Sequence, residues 1–308
     1  MKQIIEAYDK EIIKNELEKV RLFKTSPYGN HEIYIFTNEK SPILMREIGR
    51  LREITFRHAG GGTGESVDID EYDTGENQFT QLIVCNPQTK EIMGGYRYLT
   101  GDKIKIENNK LLTPTGKLFE CTAKFHKEIT PYMIELGRSF VIPEYQASGE
   151  IKKGIFVLEN LWMGLGSIVF ENEFLKYTFG KFTMYPEYNA FARDILLNFL
   201  ERYFPGDENL CKPRIPVKLK YSIEELNKPF VWNNYEEDYK TLIRVLKENG
   251  EIIPPLVNSY MNLSHSMKVF GTAINDHFGN VEETGILIPI DEIVPAKLER
   301  YGLRRRIT

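Results

Sequence analysis

The sequence predicts a mixed α/β fold, in which helices cover the faces of one central sheet. Short runs rich in β-branched and aromatic residues alternate along the chain with longer segments whose apolar residues keep helical spacing. Two strand-like runs, at 79–85 and 92–99, are separated only by turn-forming residues, so they predict a hairpin. Strands and helices mixed in this order are typical of a sheet with helices packed on it.

The first predicted helix shows how the elements are assigned. Pro42 follows Ser41 and suits a first helical turn, after which apolar residues such as Leu44 and Ile48 recur on one face. Consecutive glycines at 60–62 end the helix. In chain order the predicted elements are a strand at 31–37, this helix, strands at 79–85 and 92–99, a polar insertion at about 101–130, a strand at 132–142, a loop at 143–154, a helix at 156–170, a strand at 177–184 and a helix at 189–204.

The rest of the chain is more polar. Residues 205–251 predict two helical pieces joined by loops, and Pro254-Pro255 opens another short helix. A late buried strand is predicted at 286–290, and it can return to the same sheet. The sequence is therefore interpreted as a single elaborated domain over 1–308, with a core at about 31–204 and a C-terminal extension at about 205–308.

Composition and charge narrow the class of protein. The chain has 308 residues, of which 42% are hydrophobic and 27% charged, as in ordinary soluble proteins. Its net charge of −4 argues against a general nucleic-acid binder, which usually has a basic excess. The 18 Phe and 17 Tyr would suit a tunnel for a long apolar chain as well as a core.

Cysteine usage and hydropathy favour a cytoplasmic location. Cys85, Cys121 and Cys211 form an odd count without metal-type spacing. No secretory signal is recognised, and no apolar run reaches the roughly 18 residues of a transmembrane helix. The arginine triplet at 304–306 is either a solvated tail or a contact with anionic lipid or an acidic partner. The second reading would place the protein peripherally at the inner face of the membrane.

The sequence lacks the motifs of several enzyme classes. Its histidines show no HExxH pairing, no GxSxG elbow is present, and the glycines match neither a P-loop nor a dinucleotide-binding loop. Hydrolase, kinase and dehydrogenase functions therefore have no support from motifs, and no metal site is expected.

The strongest functional signal is the strand at 132–142, which has Glu135 and Arg138 among apolar residues. A buried carboxylate or guanidinium is destabilising unless it is paired or used. Strand alternation predicts Glu135 and Gly137 on one face of the sheet and Arg138 on the other. Either the two charges form a buried ion pair that fixes the strand register, or the carboxylate positions or deprotonates an amine.

The loop at 143–154 follows this strand and leads into a helix. Its residues include Gly149, Lys152 and Lys153. Free backbone N–H groups at a helix N-terminus, together with the two lysines, would suit a phosphate-bearing ligand. Many strand–helix loops contain Gly and Lys, so the signal gains weight only from its place directly after Glu135.

A third group of charged residues surrounds the end of the first helix. Carboxylates that hold an ammonium, beside an arginine that grips a carboxylate, would form a pocket for a zwitterion. A solvated acidic loop and a metal site are the alternatives, although the spacing is not that of an EF-hand. Arg97 lies mid-strand after two glycines that either admit a ligand or mark a bulge. The group consists of Arg52, Arg57, His58, Asp68, Asp70, Glu71 and Asp73.

These residues belong to an ordered series of motifs. In chain order the motifs are Leu51-Arg52-x-x-x-Phe56, Asp68-Ile69-Asp70-Glu71-Tyr72-Asp73, Gly95-Tyr96-Arg97-Tyr98-Leu99, Glu135-Leu136-Gly137-Arg138, Leu161-Trp162-x-Gly164-x-Gly166, Ile253-Pro254-Pro255-Leu256-x-x-x-Tyr260 and Asn275-Asp276-His277-Phe278-Gly279-Asn280. The series resembles the ornithine-lipid and glycine-lipid type of N-acyltransferase, a hemolysin-like family of the GNAT class related to the acyl-homoserine-lactone synthases. The resemblance spans about residues 31–295, and the ordered series is more specific than any single motif.

The resemblance implies a fold and a reaction. The fold is a GNAT-like mixed, mostly antiparallel central sheet with helices on both faces. The reaction moves a (3-hydroxy)acyl chain from acyl carrier protein to the α-amine of a small amino acid, as the first step of amino-acid lipid synthesis. The donor is an acyl-phosphopantetheine thioester that acts as co-substrate, so no permanently bound cofactor is expected. Glycine is favoured over ornithine because no distinct site for a side-chain amine can be located.

The resemblance also assigns roles to single residues. Glu135 and Arg138 match catalytic positions, with Glu135 as the amine-positioning or basic residue. The last position of the usual Gln/Arg-x-x-Gly-x-Gly/Ala loop is here Ile151, a departure that favours a carrier protein over coenzyme A as donor. The acceptor pocket and its braces match Arg52, Phe56, Asp68, Asp70, Asp73 and Arg97. The donor-binding positions match Phe140, Val141, Ile142, Gln146, Gly149, Lys152, Lys153 and Gly154.

Three other functions stay open. A GNAT enzyme that uses acetyl-coenzyme A on a small amine would need only a short pocket and would have little use for so many aromatic residues. A non-catalytic lipid-binding protein on the same scaffold would be free to lose Glu135 and Arg138. A signal synthase that closes a lactone fits poorly with the long C-terminal extension.

Overall fold

A large sheet organises the fold. The computed structural model describes residues 1–146 and 151–301. Its strands are β1 (Arg21–Thr25), β2 (Glu32–Phe36), β3 (Thr80–Cys85), β4 (Ile92–Thr100), β5 (Ile106–Glu107), β6 (Lys110–Leu111), β7 (Phe119–Cys121), β8 (Met133–Val141), β9 (Tyr177–Met184), β10 (Cys211–Pro213), β11 (Lys268–Asn275) and β12 (Val281–Pro289). The main sheet has eight strands in the order β1-β2-β3-β4-β8-β9-β12-β11, while β5–β6 and β7–β10 form separate pairs.

Helices connect and cover these strands. They are α1 (Lys10–Leu17), α2 (Pro42–His58), α3 (Glu71–Thr74), α4 (Pro114–Leu118), α5 (Ala123–Glu128), α6 (Ile151–Glu171), α7 (Ala190–Tyr203), α8 (Ile223–Asn227), α9 (Tyr235–Glu248), α10 (Pro255–Met261) and α11 (Pro295–Arg300). Short 3-10 helices lie at Gly101–Lys103, Thr130–Tyr132, Pro143–Tyr145, Asp276–Phe278 and Ile290–Glu292. None of the helices in these described residues is long and apolar enough to pass through a membrane.

The predicted mixed α/β class with a mostly antiparallel sheet is confirmed. Every pair of neighbouring strands in the main sheet is antiparallel except β8 and β9, which run parallel. Parallel neighbours need a long crossover connection, and α6 supplies it. Local signals of α2 also agree with the structure, since the Ser41 hydroxyl accepts the backbone N–H of Leu44 at 3.2 Å and the helix ends at His58.

Several elements differ from the sequence predictions. The strands β1 and β11 were not predicted, β12 begins at Val281 rather than at 286, and α6 begins at Ile151 rather than at 156. In β11 the alternation is broken by a register shift between Val269 and Thr272, where Gly271 has a φ of +80°. A strand with such an irregularity loses the period of two that reveals strands in sequence.

Three apolar cores cover the sheet. The α6-side core lies on one face and includes Leu82, Ile134 and Phe182. Two cores share the other face. The α2-side core includes Leu44, Ile83, Phe140, Phe278 and Val281, and the insertion core includes Phe79, Leu99, Met133, Phe179 and Leu287. Helices therefore pack on both faces, and the face that holds α2 is divided between two cores.

Candidate active site

A row of polar side chains separates the α2-side core from the insertion core. On β3, for example, Gln81 lies between Phe79 of the insertion core and Ile83 of the α2-side core. Each of five neighbouring strands contributes one such residue; Gln81 lies opposite Arg97, and the others are offset along their strands, since Arg97 lies opposite Gly137 and Lys181 opposite Gly285. We call these residues, Gln81, Arg97, Glu135, Lys181 and Glu283, the polar belt.

The belt begins in an ion-pair network that is closed to solvent. The Arg52 guanidinium donates to both carboxylate oxygens of Asp73 at 3.1 Å and to the Gln81 side-chain oxygen at 2.5 Å. The Gln81 amide donates in turn to Asp73 at 3.0 Å. Arg52, Asp73 and Gln81 are all 0% exposed, and so is Asp68, so the interpretation as a solvated acidic loop is wrong for Asp68 and Asp73, whereas Glu71 is exposed.

Arg97 joins this network from β4. Its guanidinium donates to both oxygens of Asp70, at 2.6 and 2.8 Å, and lies 2.9 Å from Asp73. Burial alone would raise the pKa values of Asp70 and Asp73. Arg97 instead holds the pKa of Asp70 below its ordinary value, and Arg52 and Arg97 together do the same for Asp73. Asp70 also caps α3, with Asp73 completing a capping box. The arginines therefore hold both carboxylates in the ionised form.

Arg138 lies on the same face as Glu135, so the alternation predicted for this strand is wrong. The pairing of β4 with β8 shifts between Gly95 and Arg97, which leaves a bulge in β8 where Arg138 has a φ of +52°. Leu136 therefore packs against the α6-side core, whereas Phe140 belongs to the α2-side core. Without a bulge, two residues four apart in a strand would share one face.

The contacts of Arg138 exclude an ion pair with Glu135. Its Nε is 2.8 Å from a carboxylate oxygen of the fully buried Asp68, and its Nη2 is 3.8 Å from Asp70. The guanidinium carbon lies 4.2 Å from the centre of the Phe278 ring, which packs edge-on against Phe56 at 5.1 Å. Among the described residues Nη1 has no hydrogen-bond partner, so Arg138 keeps donor capacity.

Glu135 is the exception in this network, because no arginine neutralises it. Its side chain is 1% exposed. One oxygen accepts the Thr115 backbone N–H at 3.1 Å, and the other lacks a hydrogen-bond partner within 1–146 and 151–301. Burial raises the pKa of Glu135, while hydrogen bonds from Thr115 and Thr113 and the charge of Lys181 oppose the rise. A carboxyl with a raised pKa and a free oxygen is suited to proton transfer.

The sheet opens directly beside Glu135. The parallel pairing of β8 with β9 ends at Leu136 and Gly180, although β8 continues to Val141. Backbone groups on this edge of residues 137–141 therefore have no partner on β9. A Cβ atom added at Gly137 would have one neighbour within 4 Å among the described residues, the Arg97 Nε at 3.8 Å, so none of these residues packs tightly on Gly137. We call this opening the β8–β9 cleft.

Lys181 and Glu283 complete the belt, and the sequence analysis did not single them out. Their side chains are 2.7 Å apart and almost fully buried. Thr183 and Asn275 also donate to Glu283, at 3.3 and 3.0 Å. The sequence feature that could have identified Lys181 as a site residue was its place inside the apolar strand predicted at 177–184. Glu283 gave none, because the predicted strand began after it.

The remaining predicted site residues have diverse positions. Arg57 braces the α2 terminus through Glu53 at 2.7 Å and is not part of the network. Phe140 and Ile142 have buried side chains in the α2-side core, so they can meet a donor only through their backbone. The Gln146 amide donates to the Val141 carbonyl at 2.5 Å. Gly149 and the side chains of Lys152 and Lys153 lie outside the described residues, whereas α6 includes the backbone at Gly154.

Comparison with proteins of known family shows the family of this chain. A model of the Acetyltransferase (GNAT) domain matches residues 51–153. The Glycine N(alpha)-acyltransferase of Bacteroides thetaiotaomicron is 49% identical over 302 residues, which cover 98% of this chain and 90% of that protein. The Glycine N(alpha)-acyltransferase of Phocaeicola vulgatus is 47% identical, with 98% and 93% covered. The chain belongs to this family of acyltransferases.

This family confirms the resemblance that the motifs indicated and makes the chain an acyltransferase with a GNAT domain. Solved structures are more distant. The acyl-homoserine-lactone synthase LasI is 16% identical, with 50% of this chain and 72% of LasI covered and a TM-score of 0.35. The CoA-dependent synthase BjaI with SAM and isopentyl-CoA is 11% identical, with 88% and 87% covered and a TM-score of 0.38.

Proposed function

We propose that the protein transfers a (3-hydroxy)acyl chain from the phosphopantetheine thioester of acyl carrier protein to the α-amine of glycine. The product is an N-acyl glycine, made as the first step of amino-acid lipid synthesis. The observation that carries the proposal is the buried Glu135 beside the β8–β9 cleft, one of whose oxygens has no hydrogen-bond partner among residues 1–146 and 151–301. The names of the two relatives support glycine as the acceptor.

The charges around the cleft favour glycine over ornithine. Free glycine is a zwitterion, so it needs one cation for its carboxylate and one acceptor for its amine. Within the described part of the chain, one guanidinium nitrogen of Arg138 and one carboxylate oxygen of Glu135 have no hydrogen-bond partner. Ornithine would bring a second ammonium, but Asp68, Asp70 and Asp73 are already paired with arginines. The site therefore matches the charges of an amino acid with an uncharged side chain, such as glycine, and not those of ornithine.

The proposed reaction uses Glu135 as a base. The ammonium of glycine loses a proton to Glu135, and the neutral amine attacks the thioester carbon. Negative charge then develops on the carbonyl oxygen, where backbone N–H groups of the free β8 segment can donate to it. Collapse of this tetrahedral intermediate breaks the C–S bond and leaves the amide. The second proton lost by the nitrogen passes to the expelled phosphopantetheine thiolate, and Glu135 releases its proton to solvent.

The cytoplasmic donor is proposed to enter through the β8–β9 cleft. α6 follows β8 in the chain, and we propose that the backbone N–H groups at its N-terminus meet the donor at the carboxyl end of that strand. Such a terminus favours a phosphate group. Carrier protein presents a single phosphate, which matches a loop that lacks the last glycine of the usual GNAT motif.

The C-terminal extension is proposed to belong to the same functional domain as the core. It supplies Phe278, which packs on Arg138, and Glu283, which holds Lys181. Its Arg214 side chain also donates to the Gly116 carbonyl of α4 at 3.3 Å, next to the N–H group that binds Glu135. These three residues of the extension thus contact groups that hold or surround Glu135, Arg138 and Lys181.

A product assay tests the proposed function. The purified chain is incubated with 3-hydroxyacyl carrier protein and a mixture of the twenty amino acids and ornithine, and products are identified by mass spectrometry. We expect N-acyl glycine. Parallel incubations with 3-hydroxyacyl-coenzyme A and with acetyl-coenzyme A compare the donors. Consumption of acetyl-coenzyme A alone, or acylation of ornithine in preference to glycine, would contradict the proposal.

Substitution of Arg138 tests the proposed grip on the glycine carboxylate. Arg138→Lys keeps the charge but removes the planar set of donors that can hold Asp68 and a carboxylate together. We expect the KM for glycine to rise by about tenfold to a hundredfold, the effect of one charged hydrogen bond, with a smaller change in kcat. Steady-state kinetics with varied glycine measures both constants.

The matched control for Arg138 is Arg57→Lys. Arg57 lies at the end of α2 and bonds to Glu53 and to the Glu65 carbonyl, away from the cleft. Its replacement should leave the KM for glycine unchanged. An equal rise in both variants would show that the Arg138 effect is structural and would remove its proposed role.

A further inference from the structure

A surface segment of the C-terminal extension has a charge opposite to that of the whole chain. Residues 212–223 contain four basic residues and no Asp or Glu, whereas the chain has a net charge of −4. The three lysines among them are exposed. We call residues 212–223 the basic segment, and its cations are Lys212, Arg214, Lys218 and Lys220.

The basic segment also exposes apolar side chains between its cations. Ile215 is 71% exposed, Ile223 is 52% exposed and Tyr221 is 37% exposed. Isolated exposed apolar residues are common on proteins. Here they are interleaved with lysines in one short run, which is the pattern of segments that lie in a membrane interface.

The fold holds the basic segment through contacts that leave its lysine and isoleucine side chains free. The backbone N–H groups of Lys220 and Tyr221 donate to the buried Asp194 at 2.5 and 3.0 Å. Arg214 is fixed by the Gly116 carbonyl. The segment is therefore a pre-formed surface, and its exposed side chains can be changed without removing the bonds that anchor it.

We propose that the basic segment binds the surface of an anionic lipid bilayer. The cations complement the negative headgroups, and the exposed Ile215 and Ile223 can enter the headgroup region. The choice of a bilayer also rests on the proposed function, because an N-acyl glycine with a long chain is an amphiphile that partitions into lipid.

The location of the basic segment disfavours an acidic carrier protein as its partner. The Val217 N–H donates to the Thr272 carbonyl at 2.8 Å, so the segment runs along β11 at the edge of the sheet. The strand β12 and the whole of β9 separate that edge from the β8–β9 cleft. A carrier protein that delivers its thioester through the cleft would dock at the mouth of the cleft.

Vesicle sedimentation tests this surface with the full-length chain. The probes are vesicles of phosphatidylcholine alone and vesicles that contain phosphatidylglycerol as well. We expect binding to the anionic vesicles only, and weaker binding at high salt. The double variant Lys218→Gln with Lys220→Gln should bind about thirtyfold more weakly, since each lysine near an anionic surface contributes about a factor of five. Ile215→Ser with Ile223→Ser should weaken binding about tenfold or more.

Matched controls use another exposed surface of the extension. On α9, Lys240 is exposed and Ile243 is 45% exposed, so Lys240→Gln and Ile243→Ser repeat the same chemical changes elsewhere. These variants should bind vesicles like the wild type. Acyl transfer to glycine is measured without vesicles in every variant and should be unchanged, which separates failure of this inference from failure of the proposed function.

Several results would overturn the membrane inference. Equal binding to neutral and anionic vesicles would do so, as would full binding by the Lys218 and Lys220 variant. Loss of binding only when the arginines at 304–306 are removed would assign the interaction to the tail. A raised KM for acyl carrier protein in the Lys218 and Lys220 variant, with vesicle binding intact, would make the segment a carrier surface.

Discussion

Replacement of Glu135 by glutamine is expected to lower kcat for glycine acylation by about 10²- to 10⁴-fold, the usual contribution of a general base. Glutamine has nearly the same shape and can still accept the Thr115 N–H, but it cannot take the proton of the ammonium. The measurement is the steady-state rate with saturating glycine and donor. Wild-type turnover in the Glu135→Gln variant across the pH range would contradict the assigned role.

The pH dependence gives a second readout for Glu135. Burial raises its pKa above the ordinary value, so the rate should rise with pH through that raised pKa as the carboxyl becomes ionised. The folded protein binds a proton that the unfolded chain has already released between the ordinary and the raised pKa. Stability should therefore fall as pH rises through this window. Glu135→Gln removes the ionisation and both of these slopes.

Asp238→Asn is a matched control for this experiment. Asp238 is also 1% exposed, but it lies in the extension, where it accepts the Val231 and Trp232 N–H groups at 2.9 and 2.8 Å. Its replacement should lower the free energy of unfolding without a comparable loss of kcat. A similar drop in kcat in both variants would show that any change at a buried carboxylate disturbs catalysis.

The substitution with the largest expected effect on stability is Asp73→Asn. Asp73 neutralises Arg52 and Arg97, at 3.1 and 2.9 Å, and all three side chains are at most 1% exposed. Loss of one partner in such a buried network leaves positive charge uncompensated, so the free energy of unfolding should fall by about 3–5 kcal/mol. Denaturant unfolding measures the change.

Lowering the pH should also reduce the free energy of unfolding of the wild-type protein. The folded-state pKa of Asp73 lies below its ordinary value of 3.8, because Arg52 and Arg97 outweigh the effect of burial. Its contribution to stability is therefore present above about pH 4 and is lost as pH falls towards the lowered folded pKa.

The surface control for Asp73→Asn is Asp276→Asn, since Asp276 is 74% exposed and its one ion-pair partner among the described residues is His277. It should change stability by less than about 0.5 kcal/mol; an equal effect of the two substitutions would contradict the network argument.

The sequence predicted which residues form the site better than it predicted which of them pair with one another. A buried charge is destabilising unless it is paired or used, so charged residues in apolar or structured segments indicate a site. The sequence analysis selected Arg52, Asp70, Asp73 and Arg97 on this ground. Which carboxylate meets which arginine depends on contacts between residues 21 and 27 positions apart in sequence. No local pattern encodes such a pairing, so the carboxylates expected to hold an ammonium instead hold arginines.

Two further errors have physical causes. The bulge at Arg138 changes the face of every later residue in β8, and strict alternation cannot anticipate it. Lys181 and Glu283 come together only when β12 pairs with β9, about a hundred residues apart in the chain. By contrast, β3, β4 and the start of α2 were predicted well because turn residues and a cap mark them locally.

The polar belt has a consequence for the evolution and redesign of this enzyme. Replacing a buried charged network with apolar residues of similar volume is often neutral or stabilising. Replacing Arg97 together with Arg52, Asp70 and Asp73 by apolar residues would therefore pass, or even improve, a screen that selects for heat resistance alone, whereas replacing Arg97 alone would leave Asp70 and Asp73 without their partner. Selection for thermal stability and selection for catalysis would therefore favour different residues at these positions.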